Sequence, residues 1–316
     1  MKAITLNEAG DVGNLQYVDI AKPTISANEV LVKSISLSVN PVDYKVRSTD
    51  GALNWILGAD RPAIIGWDLS GTVVEVGDAV TDFKIGDAVF GLANFPGKGN
   101  AYAEFVAVPS AHLTLKPANI SHPEAAVATL AALTAWQALV EIGHVKKGSK
   151  VHIHAASGGV GHYATQIAKH FGAHVIGISS AKNKEFVLQN GADTHIDYKT
   201  QSFQEIVSDV DFVLDTLGGD TISKSLDVIK QGGTIVSIAT SNFTNDELEK
   251  AKSNDVKLAF MLVKSSGENM SQLSQLMEKG VVKSHISKTF TFDQMGDAHL
   301  HLEKGRTVGK IVVNVE

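Results

Sequence analysis

The stretch from Val151 to Gly172 reads VHIHAASGGVGHYATQIAKHFG. Lys146-Lys147-Gly148 bounds it upstream. The apolar-rich run Val151 to Ala156 predicts a strand. Ser157, Gly158, Gly159, Val160 and Gly161 predict a tight turn. Ala164, Ile167, Ala168 and Phe171 then recur at the three- and four-residue spacing of an amphipathic helix. Gly172 is placed to stop that helix. Strand, glycine turn and helix make the first half of a βαβ unit. Glycine at such a turn lets the backbone approach a pyrophosphate, and the start of the helix offers N–H groups to its charge. The spacing is Ala155-x-x-Gly158-x-x-Gly161, with alanine in the first glycine position. A ligand-free turn can carry the same pattern. Here a second strand pattern, His174 to Ser179, follows at once and favours the nucleotide-binding reading.

Outward from this stretch, βα alternation continues. Strands are expected at Val151–Ala155, His174–Ile178, His195–Asp197, Val210–Asp215, Gly233–Ala239 and Val256–Leu262, with helices between most of them. That is the pattern of a doubly wound parallel sheet in an α/β protein. Upstream, Ser121-His122-Pro123-Glu124 has a capped helix start, with Glu three residues after Ser, and Ala125–Val140 is helical in pattern. The chain before it reads as β: Ala3–Leu6, Glu29–Ser36, Leu69–Val76, Ala88–Leu92 and Ala103–Val108, separated by turn signals such as Val76-Gly77-Asp78 and Ile85-Gly86-Asp87. This spacing suggests a small barrel or sandwich. Asn40 to Arg47 is the exception, a turn leading to a short helix. Downstream, Asn269–Lys279 predicts one more helix, and short strands close the chain at Gly309 to Val313. The expected organisation is a β domain from residues 1–120 and 265–316, interrupted by a nucleotide-binding domain from residues 121–264.

Composition narrows the classes. The chain has 316 residues, 44% of them apolar, and a net charge of −6, so neither nucleic acid nor an anionic membrane is an expected partner. No apolar run is expected to cross a bilayer. The N-terminus MKAITLNEAG reads as a first strand, and the cytoplasm is the expected compartment. Cysteine is absent, which removes disulfides, thiolate nucleophiles and Cys-ligated metal together. Of the twelve histidines, His152 and His154 share one face of a predicted strand, and His299 and His301 would diverge on a helix. They read as structural or surface histidines rather than metal ligands.

Taken together, Asn40-Pro41-Val42-Asp43, Gly66-Trp67-Asp68-Leu69-Ser70-Gly71 through Gly77, Ala132-Leu133-Thr134-Ala135-Trp136, Ala155 to Gly161, Gly191-Ala192-Asp193 with Ile196-Asp197-Tyr198, and Gly309-Lys310-Ile311-Val312 resemble the medium-chain dehydrogenase/reductase superfamily. Within it the chain looks like the quinone oxidoreductase branch, which includes alkenal and enone reductases. The resemblance implies a GroES-like β-barrel catalytic domain, a Rossmann domain, NADPH as cofactor and no zinc. Zinc-dependent members carry a Cys ligand near Asn40 and Gly-His-Glu where this chain has Gly66-Trp67-Asp68. Neither position can supply its ligand here, so no metal site is expected.

The cofactor choice rests on the second strand of the Rossmann unit. NAD-binding units place an acidic residue there, roughly 20 residues past the glycines. Here the strand runs into Ser179-Ser180-Ala181-Lys182, and no carboxylate appears before Glu185. Hydroxyls and a cation suit a 2′-phosphate. Tyr198 matches a tyrosine that contacts this phosphate in quinone oxidoreductases. By the same resemblance Thr134, Phe260 and Met261 are expected near the nicotinamide. Leu217, Gly218, Ile238, Ala239 and Thr240 are expected at strand ends facing the cofactor, and Lys310 among the cofactor contacts.

The expected chemistry is hydride transfer from NADPH to a quinone or to the β-carbon of an α,β-unsaturated carbonyl. Asn40, Tyr44 and Lys45 are the candidates to stabilise charge on the acceptor oxygen, although some bacterial relatives have tyrosine where this chain has Lys45. Asp43 is expected to organise its turn. Arg47 and Arg306 are expected at the surface, and Trp67 and Phe95 as apolar walls. A homodimer is expected through the strand at Val256–Leu262. The competing readings are an enoyl-thioester reductase and a non-catalytic NADPH-binding sensor or structural protein.

Overall fold

The computed structural model describes residues 1–315. The chain forms two compact units, one made of Met1–Leu133 with Val263–Glu316, the other of Thr134–Leu262. The first unit begins with β1 (Lys2–Leu6), β2 (Leu15–Asp19), β3 (Glu29–Ser38), α1 (Pro41–Ser48), α2 (Asp50–Leu57), β4 (Ala63–Ile64), β5 (Asp68–Val76), β6 (Ala88–Leu92), β7 (Phe105–Pro109) and β8 (Leu113–Leu115). The junction between the units falls inside α3 (His122–Trp136).

The second unit holds β9 (Lys150–Ile153), α4 (Gly159–His170), β10 (His174–Ser179), α5 (Lys184–Gln189), β11 (Thr194–Asp197), α6 (Phe203–Ile206), β12 (Val210–Asp215), α7 (Asp220–Ser225), β13 (Ile229–Ser237), α8 (Asn245–Ser253) and β14 (Lys257–Phe260). Its six strands lie in the order β11-β10-β9-β12-β13-β14, every pair parallel. Counted from β9 this is 3-2-1-4-5-6, the dinucleotide-binding order. Strands buried on both faces need near-continuous apolar runs, and Val151, Ile153, Val175, Ile176, Val213 and Ile235 supply them. The strand β14 stands at the sheet edge.

The chain then returns to the first unit with α9 (Gly267–Glu278), β15 (Ile286–Thr291), α10 (Met295–Glu303) and β16 (Lys310–Asn314). The larger sheet of this unit runs β15-β16-β3-β5-β6-β8, with β7 also on β3, and β1 sits between β2 and β4 in a smaller one. Ser38 pairs with Val312 on one side and Asp68 on the other. That register brings the C-terminal end of β3 beside the N-terminal ends of β16 and β5.

Three local expectations are refined. The Ser121/Glu124 capping box forms, with the Glu124 carboxylate accepting from the Ser121 N–H at 2.8 Å. The helix expected over Ala125–Val140 is α-helical only to Trp136 and continues as a π turn over Gln137–Ile142. The expectation that no segment reaches bilayer-crossing length is corrected. His122–Ile142 has 21 residues and a mean hydropathy of 1.5, but 83% of its apolar window is buried inside the protein. Its alanines serve as close-packing positions in the interior.

Candidate active site

In the second unit the site is built on the turn after β9. Ala155 takes a left-handed conformation at φ 47°, the backbone state that glycine favours, in the position where the motif has alanine. Its carbonyl accepts from the Gly158 N–H at 2.8 Å. At Gly161 a Cβ would lie 2.2 Å from that same carbonyl oxygen and 2.7 Å from the Ala156 Cα. Only glycine lets α4 start this close to the strand. No acidic side chain stands in the first turn of α4, where the peptide N–H groups lack intrahelical acceptors. Ser157, Gly158, Gly159, Val160 and Gly161 therefore form one continuous turn and helix start.

The end of β10 lies against this turn. The Asn183 side-chain amide donates to the Ser157 hydroxyl at 2.9 Å, which joins the glycine turn to the segment after β10. Ser179 and Ser180 are buried. The Ser179 hydroxyl is engaged with His195 Nε2 at 2.8 Å and the Ser180 carbonyl at 3.2 Å. Lys182 and Tyr198 are exposed, and the Tyr198 N–H donates to the Ser179 carbonyl at 3.3 Å. A nearby acid on β11, Asp197, has its oxygens taken by the Lys199 N–H and the Thr200 hydroxyl. A glycine turn, an acid-free helix start and a serine-lined segment with an exposed lysine fit a dinucleotide bearing an extra phosphate.

The remaining predicted cofactor residues follow the C-terminal ends of β12, β13 and β14. Leu217 is exposed, Gly218 is buried at φ 71°, and Ile238, Ala239 and Thr240 are half-buried. Phe260 is 41% exposed and Met261 is buried. Buried Asp215, to which sequence reasoning gave no role, holds the first two loops. Its carboxylate accepts from the Gly218 N–H at 3.1 Å, the Thr221 hydroxyl at 2.7 Å and the Ser237 hydroxyl at 2.7 Å. Thr134 is buried in α3.

In the first unit Asn40, Asp43, Asp68 and Lys310 form a buried polar cluster. Asp43 Oδ2 accepts from the Asn40 N–H at 2.5 Å. The Asn40 side-chain amide donates to Asp68 Oδ2 at 2.7 Å and accepts from Lys310 Nζ. Lys310 also reaches the Val39 carbonyl at 3.3 Å and Asp68 Oδ2 at 3.5 Å. The other oxygen of Asp68 accepts from the Thr129 hydroxyl at 2.5 Å and the Leu130 N–H at 2.9 Å. Burial first, and then the charge of Asp68, push the Asp43 carboxyl up to about 7. Burial pushes the Lys310 ammonium down, against the opposing pull of Asp68 and Asp43.

The substrate-side helix α1 carries Tyr44 half-buried and Lys45 exposed, and neither side chain makes a hydrogen bond among the described residues. Arg47 corrects the surface expectation. It is buried, donates to the Gly10 carbonyl at 2.7 Å and pairs with Glu303. Trp67 is not a wall either. It is wholly buried, its indole N–H donates to the Gly97 carbonyl at 2.7 Å, and its ring stands edge-on to Phe95. Gly66, at φ 88°, lies on the Tyr102 ring, where a Cβ would come within 2.2 Å. Among the described residues no three His, Asp or Glu side chains converge as a cation site.

Residues 26–118 match the alcohol dehydrogenase GroES-like domain, and residues 190–313 match the zinc-binding dehydrogenase family. The human mitochondrial NAD(P)H oxidoreductase RTN4IP1 is 35% identical to this chain, over 91% of this chain and 82% of its own length. The chain belongs to the medium-chain dehydrogenase/reductase superfamily. Within that superfamily it falls among the quinone oxidoreductases and alkenal/one oxidoreductases. The chloroplastic NADPH-dependent alkenal/one oxidoreductase of Arabidopsis thaliana is 32% identical, over 99% of this chain and 79% of its own. The quinone oxidoreductase of Coxiella burnetii superposes with a TM-score of 0.92 at 36% identity, covering 100% of this chain and 99% of that one. These relatives overturn the cytoplasmic expectation, because the human protein is named mitochondrial and the Arabidopsis protein chloroplastic.

Proposed function

We propose that this protein uses NADPH to reduce a quinone or an α,β-unsaturated carbonyl compound. One observation carries the cofactor choice: the segment after β10 offers Ser180 and an exposed Lys182, with no carboxylate before Glu185. An acid there would repel a 2′-phosphate, whereas a lysine attracts it. The acceptor class follows the relatives, one a quinone oxidoreductase and another an alkenal/one oxidoreductase.

When bound, NADPH supplies the hydride. The chain's own residues do the rest. The glycine turn and the N-terminus of α4 hold the pyrophosphate. Ser180, Lys182 and Tyr198 hold the 2′-phosphate. The loops braced by Asp215 hold the remainder of the dinucleotide. Negative charge then develops on the acceptor oxygen, and a donor preset at that position lowers the barrier. Asn40 supplies it, having one Nδ2–H left after its bond to Asp68, with Tyr44 a second donor from the same segment.

The half-buried edge strand β14 supports a homodimer in which this edge meets a second copy. Light scattering of the purified protein tests that part.

The test of function is NADPH oxidation at 340 nm against a quinone, a short enone and a 2-alkenal, with NADH as control. Turnover of one of these, faster with NADPH, is the expected result. Tight NADPH binding without turnover of any of them would overturn the reading.

A further inference from the structure

Lys310 begins β16, and its position follows from the sheet register. Ser38 lies opposite Val312 in the antiparallel β3–β16 pair, so two residues further along β3 Asn40 comes opposite Lys310. The ammonium is buried, and its three contacts are the Asn40 Oδ1, the Val39 carbonyl and the Asp68 carboxylate. An ammonium has three donors and no acceptor, so every donor is used inside this cluster.

The orientation of the Asn40 amide is thereby decided. Its oxygen faces an ammonium and its nitrogen faces a carboxylate. A flipped amide would put donor against donor and acceptor against acceptor, in an interior where such mismatches are expensive. Asp68 is itself held by α3, through the Thr129 hydroxyl and the Leu130 N–H. Asn40 is also fixed through its backbone, whose N–H is taken by Asp43. Each partner comes from a different strand or helix, so the amide has no freedom to turn.

We propose that Lys310 is a positioning residue: together with Asp68 it clamps the Asn40 amide so that the remaining Nδ2–H is presented to the acceptor oxygen. The inference rests on the reductase reading above. It replaces the sequence-based role of Lys310 as a cofactor contact with one that acts through Asn40. The clamp has a second consequence for that donor. Lys310 neutralises the carboxylate of Asp68 next to it, so the negative charge developing on the acceptor does not meet an unbalanced anion.

The test is a double-mutant cycle on the full-length protein with a short enone, using K310Q, N40A and the double variant. NADPH affinity is read separately by fluorescence. K310Q is expected to lower kcat by about 10-fold, as misplacement of a donor does, with the NADPH Kd unchanged. The double variant is expected to be no slower than N40A alone. A weaker NADPH Kd with kcat preserved would return Lys310 to the cofactor and overturn the inference. Independent, multiplying losses in the cycle would overturn it too, as would an N40A protein with wild-type kcat. If K310Q does not fold, K310R retains the charge beside Asp68, and the same cycle with N40A decides. A wild type that turns over none of the acceptors removes the reductase reading beneath. A wild type that turns over, with K310Q unimpaired, removes this inference alone.

Discussion

Asp43 and Asp68 both accept hydrogen bonds from Asn40, the first from its backbone N–H at 2.5 Å and the second from its side chain at 2.7 Å. The two carboxylates are both buried, and Asp68 raises the Asp43 carboxyl, after burial, to about 7. A carboxyl raised from 3.8 to about 7 weakens the fold by roughly 4 kcal/mol as the pH climbs through that window. Asp43→Asn keeps an acceptor for the Asn40 N–H and cannot ionise, but it buries a new N–H group. The variant is expected to be about 1 kcal/mol less stable than wild type at pH 5 and more stable at pH 9. Urea unfolding at the two pH values checks this, and an equal deficit at both would refute it.

Buried histidines act in the opposite sense. Burial, and then His154, hold the His152 imidazole well below its ordinary range. Burial holds His154 down to about 4 against the charges of Asp215 and Asp220, and His299 down to about 3. Each contributes stability that is complete above pH 6.5 and is lost as the pH falls toward the folded value. In the first unit His299 works against Asp43, and those two slopes largely offset, leaving only the smaller effects of the partly buried His112 and His122. In the second unit His152 and His154 have no such opponent, and two imidazoles give a slope of roughly 2.7 kcal/mol per pH unit. Hydrogen exchange at pH 5 is expected to lose protection in β9 and β12 before β3 and β5. The reverse order would contradict the assignment.

Ala155 holds a left-handed backbone at φ 47°. That state costs a residue with a side chain roughly 1 to 2 kcal/mol, while glycine's freer unfolded chain gives back roughly 0.5 to 1. Ala155→Gly is therefore expected to be neutral to about 1 kcal/mol stabilising, read as a raised Tm with the NADPH Kd preserved. A lowered Tm would show that the methyl group makes contacts worth more than the strain.

Lys182 is exposed, so its attraction for a phosphate is screened, and the smaller end of a charge-assisted bond applies. Lys182→Ala is expected to raise the KM for NADPH by about 10-fold and leave the KM for NADH unchanged. Equal effects on the two cofactors would place the lysine elsewhere than the 2′-phosphate.

The glycine turn, the βα alternation and the acid-free end of β10 were legible because each depends on residues adjacent in sequence. The capping box at Ser121 and Glu124 was legible for the same reason. What sequence reasoning missed lies across the fold. Asp215 ends a predicted strand just before Leu217-Gly218-Gly219, a local cue that an acid braces the loop, but its bond to Ser237 is visible only once β12 and β13 pair. Arg47 looked like a surface cation because its partner Glu303 is on α10. Asn183 directly follows Lys182 in sequence, yet its bond to Ser157 requires the glycine turn to lie beside it. That Lys310 lies opposite Asn40 is likewise visible only once β16 pairs with β3.

The pairing of β16 with β3 also sets an order of events during synthesis. Asn40 and Asp68 leave the ribosome long before Lys310, and the intervening residues Thr134–Leu262 make a complete sheet of their own. Domains fold as they emerge, so the second unit can finish while the first still lacks α9, β15, α10 and β16. Until β16 arrives, the carboxylates of Asp43 and Asp68 have no ammonium beside them, and burying them is unfavourable. The cluster around Asn40 thus stays open to water until β16 is made, and the Asn40 amide is locked only by the arrival of Lys310.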